Sequence, residues 1–122
     1  MERITRIDKL KIGVGYVIID WMPSAALGVG NGEWVKLAAT IKIANDLSPL
    51  REQEALIHEI IHVIMERIED EEEVAMTGEN VVQHIAFYIQ SIIHDNPGLD
   101  IFKKLSIDED LEWKRKNLRG EK

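Results

Sequence analysis

The 122-residue chain contains no cysteine. This absence excludes a disulfide framework, a thiolate zinc ribbon, an iron–sulfur cluster and a cysteine nucleophile. Proline is scarce, at 3 residues, and the 8 glycines are far too few for a collagen-like or low-complexity chain. Any metal that this protein binds must therefore be held by His, Asp or Glu side chains.

Positive charge is also in short supply, since 15 Lys and Arg residues face 22 Asp and Glu residues and the net charge is −7. Proteins that bind nucleic acids usually have the opposite balance, because they neutralise phosphates. The sequence lacks an apolar run of about 18 residues that could span a bilayer. Its charged, alternating N-terminus does not have the pattern of a secretory signal. We therefore expect no nucleic-acid partner, no membrane association and a cytoplasmic location.

The residues that are present predict one globular domain over positions 1–122, because 45% are hydrophobic and 30% are charged. We expect an α+β fold in which a small twisted antiparallel sheet packs against two main helices. The predicted segments are N-terminal strands over about 4–44, a first helix over about 49–67, a second helix over about 77–94, and a C-terminal tail over about 99–122 with a short helix near 108–118.

Alternating apolar residues predict the strands. From Val35 to Ile43 every second residue is apolar and would fall on one face, which predicts a single strand with that face on the core. The segment 23–32 is rich in glycine and predicts a loop that ends in an Asn31-Gly32 turn.

The first helix is predicted to begin at Ser48-Pro49, because serine caps free amides and proline at the first helical position loses no hydrogen bond. Its apolar residues cover a broad arc of the helical wheel, which predicts a helix that is buried on most sides. The narrow polar stripe contains Glu59, His62 and Glu66, with His58 at its border. The second helix is predicted to have Thr77 as its N-cap.

The first helix carries the motif H-E-x-x-H at residues His58 to His62. Two His four residues apart project from the same face one turn apart, so both imidazoles can reach one zinc ion. Glu59 lies beside them and can approach a water at the metal without being a ligand. This pattern is typical of metal-assisted hydrolysis. The alternative is that these side chains are only the solvated stripe of a buried helix.

A catalytic zinc ion needs a third protein ligand. We predict Glu79, because it lies at the edge of the apolar face of the second helix, and packing of that helix would turn it inward. Glu72 and Glu73 are the competing candidates, although a run of acidic residues is more often a solvated loop. The absence of any third protein ligand is the remaining possibility.

Three polar residues of the second helix could also belong to the site. Gln83 follows Glu79 by one turn, so it either orients His58 or His62 through a hydrogen bond or is only a polar neighbour. His84 and His94 do not share the face of Glu79, and we interpret both as surface residues.

At this point the chain resembles small HExxH zinc metallopeptidases, the zincins, and in particular the minimal ImmA/IrrE-type proteins of phages and mobile elements. The resemblance covers about residues 32–97. The residues that carry it are the Gly32-Glu33 turn, the strand Thr40 to Ile43, the helix Ala55 to Ile64, the helix that starts with Glu79, and Asp95-Asn96-Pro97.

The resemblance implies zinc as the cofactor, His58 and His62 as ligands, Glu59 as general base and Glu79 as third ligand. It implies a peptide or protein as substrate, which would add as an extended strand to the strand before the helix. That substrate-binding strand would consist of Thr40, Ile41, Lys42, Ile43 and Ala44.

Two alternatives to a peptidase stay open. No Tyr or His is evidently placed to stabilise an oxyanion, since Tyr88 lies about 180° from Glu79 on the helical wheel. The same fold could therefore be a metal-binding regulatory or protein-interaction module with little turnover. A metal-free structural protein is the other alternative.

Overall fold

The computed structural model describes residues 6–28, 30–70, 77–97 and 107–118, and within them strands precede three long helices. The elements are β1 (Lys9–Ile12), β2 (Gly15–Met22), α1 (Ser24–Leu27), β3 (Gly32–Val35), a 3-10 turn (Lys36–Ala38), β4 (Thr40–Ala44), α2 (Pro49–Asp70), α3 (Gly78–Asp95) and α4 (Ile107–Leu118). The predicted α+β class is confirmed.

The four strands form one sheet in the order β1-β2-β4-β3. The β1–β2 and β3–β4 pairs are antiparallel, but β2 and β4 are parallel, with Ile18 opposite Thr40 and Met22 opposite Ala44, whereas the sequence predicted an antiparallel sheet. The sheet is therefore mixed. The reason is the connection: the chain leaves β2, passes through α1 and β3, and returns in the original direction as β4.

The prediction of one strand from Val35 to Ile43 was wrong. The segment turns at Lys36–Ala38, Ala39 adopts a left-handed conformation with φ 47°, and the two arms pair as β3 and β4. Leu37, which was predicted to face the core, is fully exposed in the turn. Apolar alternation continues through both arms of this hairpin, so the pattern could not reveal the reversal between them.

Helix α2 covers one face of the sheet and supplies much of the core. Its buried apolar residues meet those of the strands and the second half of α3, and the main members of this cluster are Leu10, Ile12, Val17, Ile41, Ile43, Leu56, Ile60, Val63, Ile64, Ile68, Tyr88 and Ile92. Burial of this kind contributes about 25 cal/mol per Å² of apolar surface. The helix begins at Pro49 as predicted and continues to Asp70, three residues beyond the predicted end.

The two later helices lie close to their predicted positions. Thr77 caps α3, because its hydroxyl accepts a hydrogen bond from the Asn80 N–H at 3.3 Å. Helix α4 was predicted as a short element of the tail, and it docks on the start of α2. In the described part of the chain, no helix combines the length and the hydrophobicity needed to cross a membrane.

Asp110 attaches α4 to α2. Its carboxylate is 5% exposed and accepts a hydrogen bond from the Leu50 N–H, one of the free amides at the N-terminus of α2, at 3.0 Å. Burial alone would raise the pKa of Asp110, but the nearby Ser48 hydroxyl, the Leu50 N–H and Lys114 outweigh it, so the pKa is lowered. Asp110 therefore acts as an N-terminal cap of α2 that is supplied by a distant segment. The helix dipole stabilises its negative charge at this end of α2.

Candidate metal centre

His58 and His62 come together on the exposed side of α2. Their Nε2 atoms are 3.1 Å apart, and the ring planes cross at 73°. In a tetrahedral zinc site with Zn–N distances of 2.0–2.1 Å, two ligand nitrogens lie about 3.3 Å apart. The observed separation is close to that value, so the two side chains fit a zinc ion without a change of backbone. Without metal, one ring can donate a hydrogen bond to the other.

Glu59 lies beside this pair but is buried, with 6% of its surface exposed. Its Oε2 atom is 3.8 Å from His58 Nε2. No group in the described ranges donates a hydrogen bond to its carboxylate. Both oxygens thus remain available to a water or a substrate at the metal position, which is the requirement for a general base.

Gly32 allows Glu59 to occupy this position. A Cβ atom at Gly32 would lie 3.0 Å from the Glu59 Cγ, 3.0 Å from the Ile43 Cδ1 and 3.1 Å from the Lys42 carbonyl oxygen. The strand β3 therefore approaches α2 so closely that only glycine fits between them without displacement. This contact holds the Glu59 side chain by packing instead of by hydrogen bonds.

Two further side chains, one from β3 and one from the turn that follows it, connect this hairpin to α2. The Trp34 indole N–H donates to the Glu66 carboxylate at 2.7 Å, and the Lys36 ammonium lies 3.1 Å from the same carboxylate. The hydrogen bond to Glu66, followed by the charge of Asp70, raises the pKa of Lys36. Sequence reasoning placed Glu66 in the polar stripe, four residues after His62, but did not pair it with Trp34 or Lys36.

A small cleft opens beside His58. It has a volume of about 250 Å³ and lies between the loop that precedes β3 and the first half of α2. The residues that line it are Gly30, Asn31, Gly32, Glu54, Ala55, His58 and Glu59. The predicted base and one predicted ligand therefore border a space that a substrate could enter.

Glu79 does not join the two His residues. Among the described residues, the group whose side-chain ligand atoms lie within 4.8 Å of one another consists of His58, Glu59 and His62. Glu79 is exposed in the first turn of α3, and only the second half of that helix is buried, through Tyr88 and Ile92. Glu79 therefore lies outside the group of described residues that could hold a metal ion.

The competing acidic ligands, Glu72 and Glu73, lie outside the described residues. Gln83 donates a hydrogen bond to Glu79 at 3.3 Å and makes none to His58 or His62. Its predicted role in orienting a ligand His is therefore not seen, and it behaves as a polar neighbour of Glu79.

The remaining histidines are separate from the centre. His84 Nδ1 pairs with the Asn80 carbonyl at 2.8 Å, and His94 Nδ1 pairs with the Asp95 carboxylate at 3.1 Å. Tyr88 is buried against Gly13 at the turn between β1 and β2. It does not line the cleft beside His58.

The predicted substrate strand is placed differently from the expectation. Thr40, Ile41, Lys42, Ile43 and Ala44 form β4, which is paired with β2 on one side and with β3 on the other. A strand inside a sheet has no free main-chain groups, so a peptide cannot add to it. In the described sheet, the edge strand beside the His pair is β3. The sequence prediction had treated β3 and β4 as parts of one strand.

The comparisons with known proteins add no relative to this geometry. Neither protein-family models, nor curated protein sequences, nor solved structures gave a match to the chain. The function is therefore argued from the site alone.

Proposed function

We propose that the protein is a zinc-dependent peptidase whose metal is held by His58 and His62 and whose general base is Glu59. The observation that carries this proposal is the 3.1 Å separation of the two Nε2 atoms beside a buried carboxylate that accepts no hydrogen bond from the described residues. Surface His pairs arise by chance, but a buried Glu side chain that accepts no hydrogen bond costs stability, and such costs are typical of functional sites. The cleft beside them gives a substrate access.

When bound, zinc would supply Lewis acidity, which makes a water more acidic and polarises the scissile carbonyl. Glu59 takes a proton from the attacking water while the water oxygen forms a bond to the carbonyl carbon. The carbon–nitrogen bond then breaks, and Glu59 returns the proton to the leaving amine. Packing against Gly32 keeps the Glu59 carboxylate oriented during both transfers.

The position of β3 favours a peptide as the substrate. The Asn31 carbonyl accepts a hydrogen bond from the Ala44 N–H at 2.9 Å, so Asn31 directs its main chain toward β4. In an antiparallel pair this direction alternates, and Gly32 and Trp34 therefore direct their main-chain groups outward. An extended peptide could pair with these groups and pass in front of His58 and Glu59.

A metal-binding regulatory module is the second candidate. It is favoured because the described His58–Glu59–His62 group, in which Glu59 serves as the base, contains no ligand beyond the two His residues. In that case the edge of β3 would hold a protein partner without cleavage. The predicted cytoplasmic location and the phage or mobile-element origin stay predictions under both functions.

The test combines metal analysis with peptide cleavage. We expect about one zinc equivalent in the wild type, loss of zinc in His58→Ala and His62→Ala, and retained zinc with lost cleavage of a mixed peptide library in Glu59→Gln. The matched control, His94→Ala, should change neither. Less than about 0.2 equivalents of zinc in the saturated wild type would refute the metal centre, because such sites bind far more tightly.

The library experiment also separates the two candidates. If zinc is bound and no peptide is cleaved, the regulatory module is favoured, and a partner should bind the wild type and Glu59→Gln equally well. If cleavage continues unchanged in Glu59→Gln, then Glu59 is not the base.

A further inference from the structure

The cleft beside His58 is lined by two carboxylates, those of Glu54 and Glu59. Glu54 lies on α2 one turn before His58, and both Glu54 and Glu59 border the cleft. Besides His58, the lining residues carry no basic side chain. Two carboxylates therefore share a space of about 250 Å³, and the basic side chain among the lining residues is His58, whose Nε2 atom is 3.8 Å from the Glu59 Oε2 atom.

Other acidic residues of α2 do have cationic partners. Glu52 is fully buried and pairs with Arg6 at 2.6 Å, and Glu66 pairs with Lys36 at 3.1 Å. Glu54, in contrast, makes no ion pair with any residue in the described ranges. Glu52 and Glu66, which precede and follow the cleft residues of α2 in sequence, thus have cationic partners, whereas Glu54 has none among the described residues.

The two carboxylates differ in burial, since Glu59 is buried and Glu54 is exposed. Glu59 is 6% exposed, so its carboxylate lies in a region of low dielectric, where a nearby positive charge is worth more than at an open surface. The other walls are Ala55 and the Gly30–Gly32 segment, where the Ala55 methyl group and the glycine Cα atoms can contact an aliphatic stem. A long side chain with a cationic end matches both features, since such side chains bury the stem and keep the charge at the polar end.

We propose that this cleft binds a Lys or Arg side chain of the substrate next to the scissile bond, with Glu54 as the recognition residue. The proposal rests on the proposed function, because it places the cationic side chain beside the zinc that His58 and His62 would hold. It assigns to the enzyme a preference for basic peptides.

The experiment uses two zinc-binding probes that differ in charge, arginine hydroxamate and norleucine hydroxamate, titrated into the zinc-loaded protein by calorimetry. We expect the wild type to bind arginine hydroxamate about twofold to fivefold more tightly, as is typical of a charge pair with an exposed carboxylate. Glu54→Gln should remove this preference and leave the affinity for norleucine hydroxamate and for zinc unchanged. The matched control is Glu33→Gln, which alters an exposed glutamate of β3 by the same charge.

A second titration avoids the metal. Agmatine, which carries the same guanidinium group, is added to the zinc-free protein while the backbone amide signals are followed by NMR. We expect shifts at Gly30, Asn31 and Gly32 that 1-butanol does not produce and that Glu54→Gln abolishes.

Each outcome has a distinct meaning. Equal binding of the two hydroxamates to the wild type, or an unchanged preference in Glu54→Gln, overturns the recognition site while the metal centre stands. Binding of neither hydroxamate refutes the metal centre, and the agmatine shifts then decide separately whether the cleft takes a cation. Loss of zinc in Glu54→Gln would make Glu54 a metal ligand and overturn its role in recognition.

Discussion

Replacement of Gly32 by alanine tests whether close packing of β3 holds Glu59 in place. The added Cβ would lie 3.0 Å from the Glu59 Cγ, 3.0 Å from the Ile43 Cδ1 and 3.1 Å from the Lys42 carbonyl oxygen. Ile43 is completely buried, and the carbonyl belongs to the paired strand β4, so neither can move freely. The flexible partner is Glu59, and the strain should be relieved mainly by displacement of its side chain.

The magnitude follows from two opposing effects. Overpacking of a tight interior typically costs about 1–3 kcal/mol. Alanine recovers about 0.4–1 kcal/mol by reducing the freedom of the unfolded chain. We therefore expect Gly32→Ala to lower the free energy of unfolding by about 1–2 kcal/mol. A Cβ at Gly15, a glycine of β2, would meet only the end of the Arg67 side chain at 3.8 Å. Gly15→Ala should therefore be neutral or slightly stabilising.

Urea unfolding of the wild type, Gly32→Ala and Gly15→Ala measures these differences directly. Zinc binding and peptide cleavage of the folded Gly32→Ala protein form the second measurement, in which zinc should be retained and cleavage reduced because the base is displaced and the ligands are not. If Gly32→Ala is as stable as the wild type, or if Gly15→Ala loses as much stability, the proposed contact between β3 and Glu59 is refuted.

Three other substitutions test the framework around the site. Asp110→Asn should lower the free energy of unfolding by about 1 kcal/mol near pH 7, as for a lost helix cap. Because the pKa of Asp110 is lowered in the folded state, the wild type should lose this advantage as the pH falls from about 4. Urea unfolding of both proteins at pH 7 and pH 3 measures the difference. Trp34→Phe should cost about 1 kcal/mol through the lost hydrogen bond to Glu66, measured by urea unfolding. Arg6→Ala should cost about 2 kcal/mol in thermal and urea unfolding, because Glu52 is fully buried while Arg6 remains partly exposed.

Controls for these three substitutions use the same partners. If the stability of Asp110→Asn has the same pH dependence as that of the wild type, the Asp110 carboxylate does not act as a charged cap. A double variant of Trp34→Phe with Glu66→Gln should lose less than the sum of the two single variants. Arg6→Lys should recover part of the stability lost in Arg6→Ala.

Much of the helical part of the molecule follows from local sequence. Ser48-Pro49, Thr77 and the helical spacing of apolar residues place α2 and α3 nearly correctly, because capping and amphipathic burial act within a few turns. The pairing of His58 with His62 is equally local, since residues four apart on a helix are neighbours wherever that helix packs.

The sheet was harder to predict. Alternation of apolar residues identifies extended backbone but does not distinguish one strand from two arms of a hairpin. The left-handed position in this turn is occupied by Ala39 and not by glycine, so the sequence does not mark the turn. The order of strands depends on pairing between distant segments. For this reason β4 was assigned to the edge that β3 in fact occupies.

The sequence by itself determined which side chains could bind a metal, because a chain without cysteine offers only His and carboxylates, and one helix carries two His at the required spacing. Only the tertiary structure decided which groups surround them. The packing of β3 on α2 brings Gly32 against Glu59 and opens the cleft that Glu54 borders, while Glu79, on α3, lies outside the His group. The physical reason is that helical geometry fixes neighbours within a turn, whereas contacts between distant segments depend on how the whole core is filled.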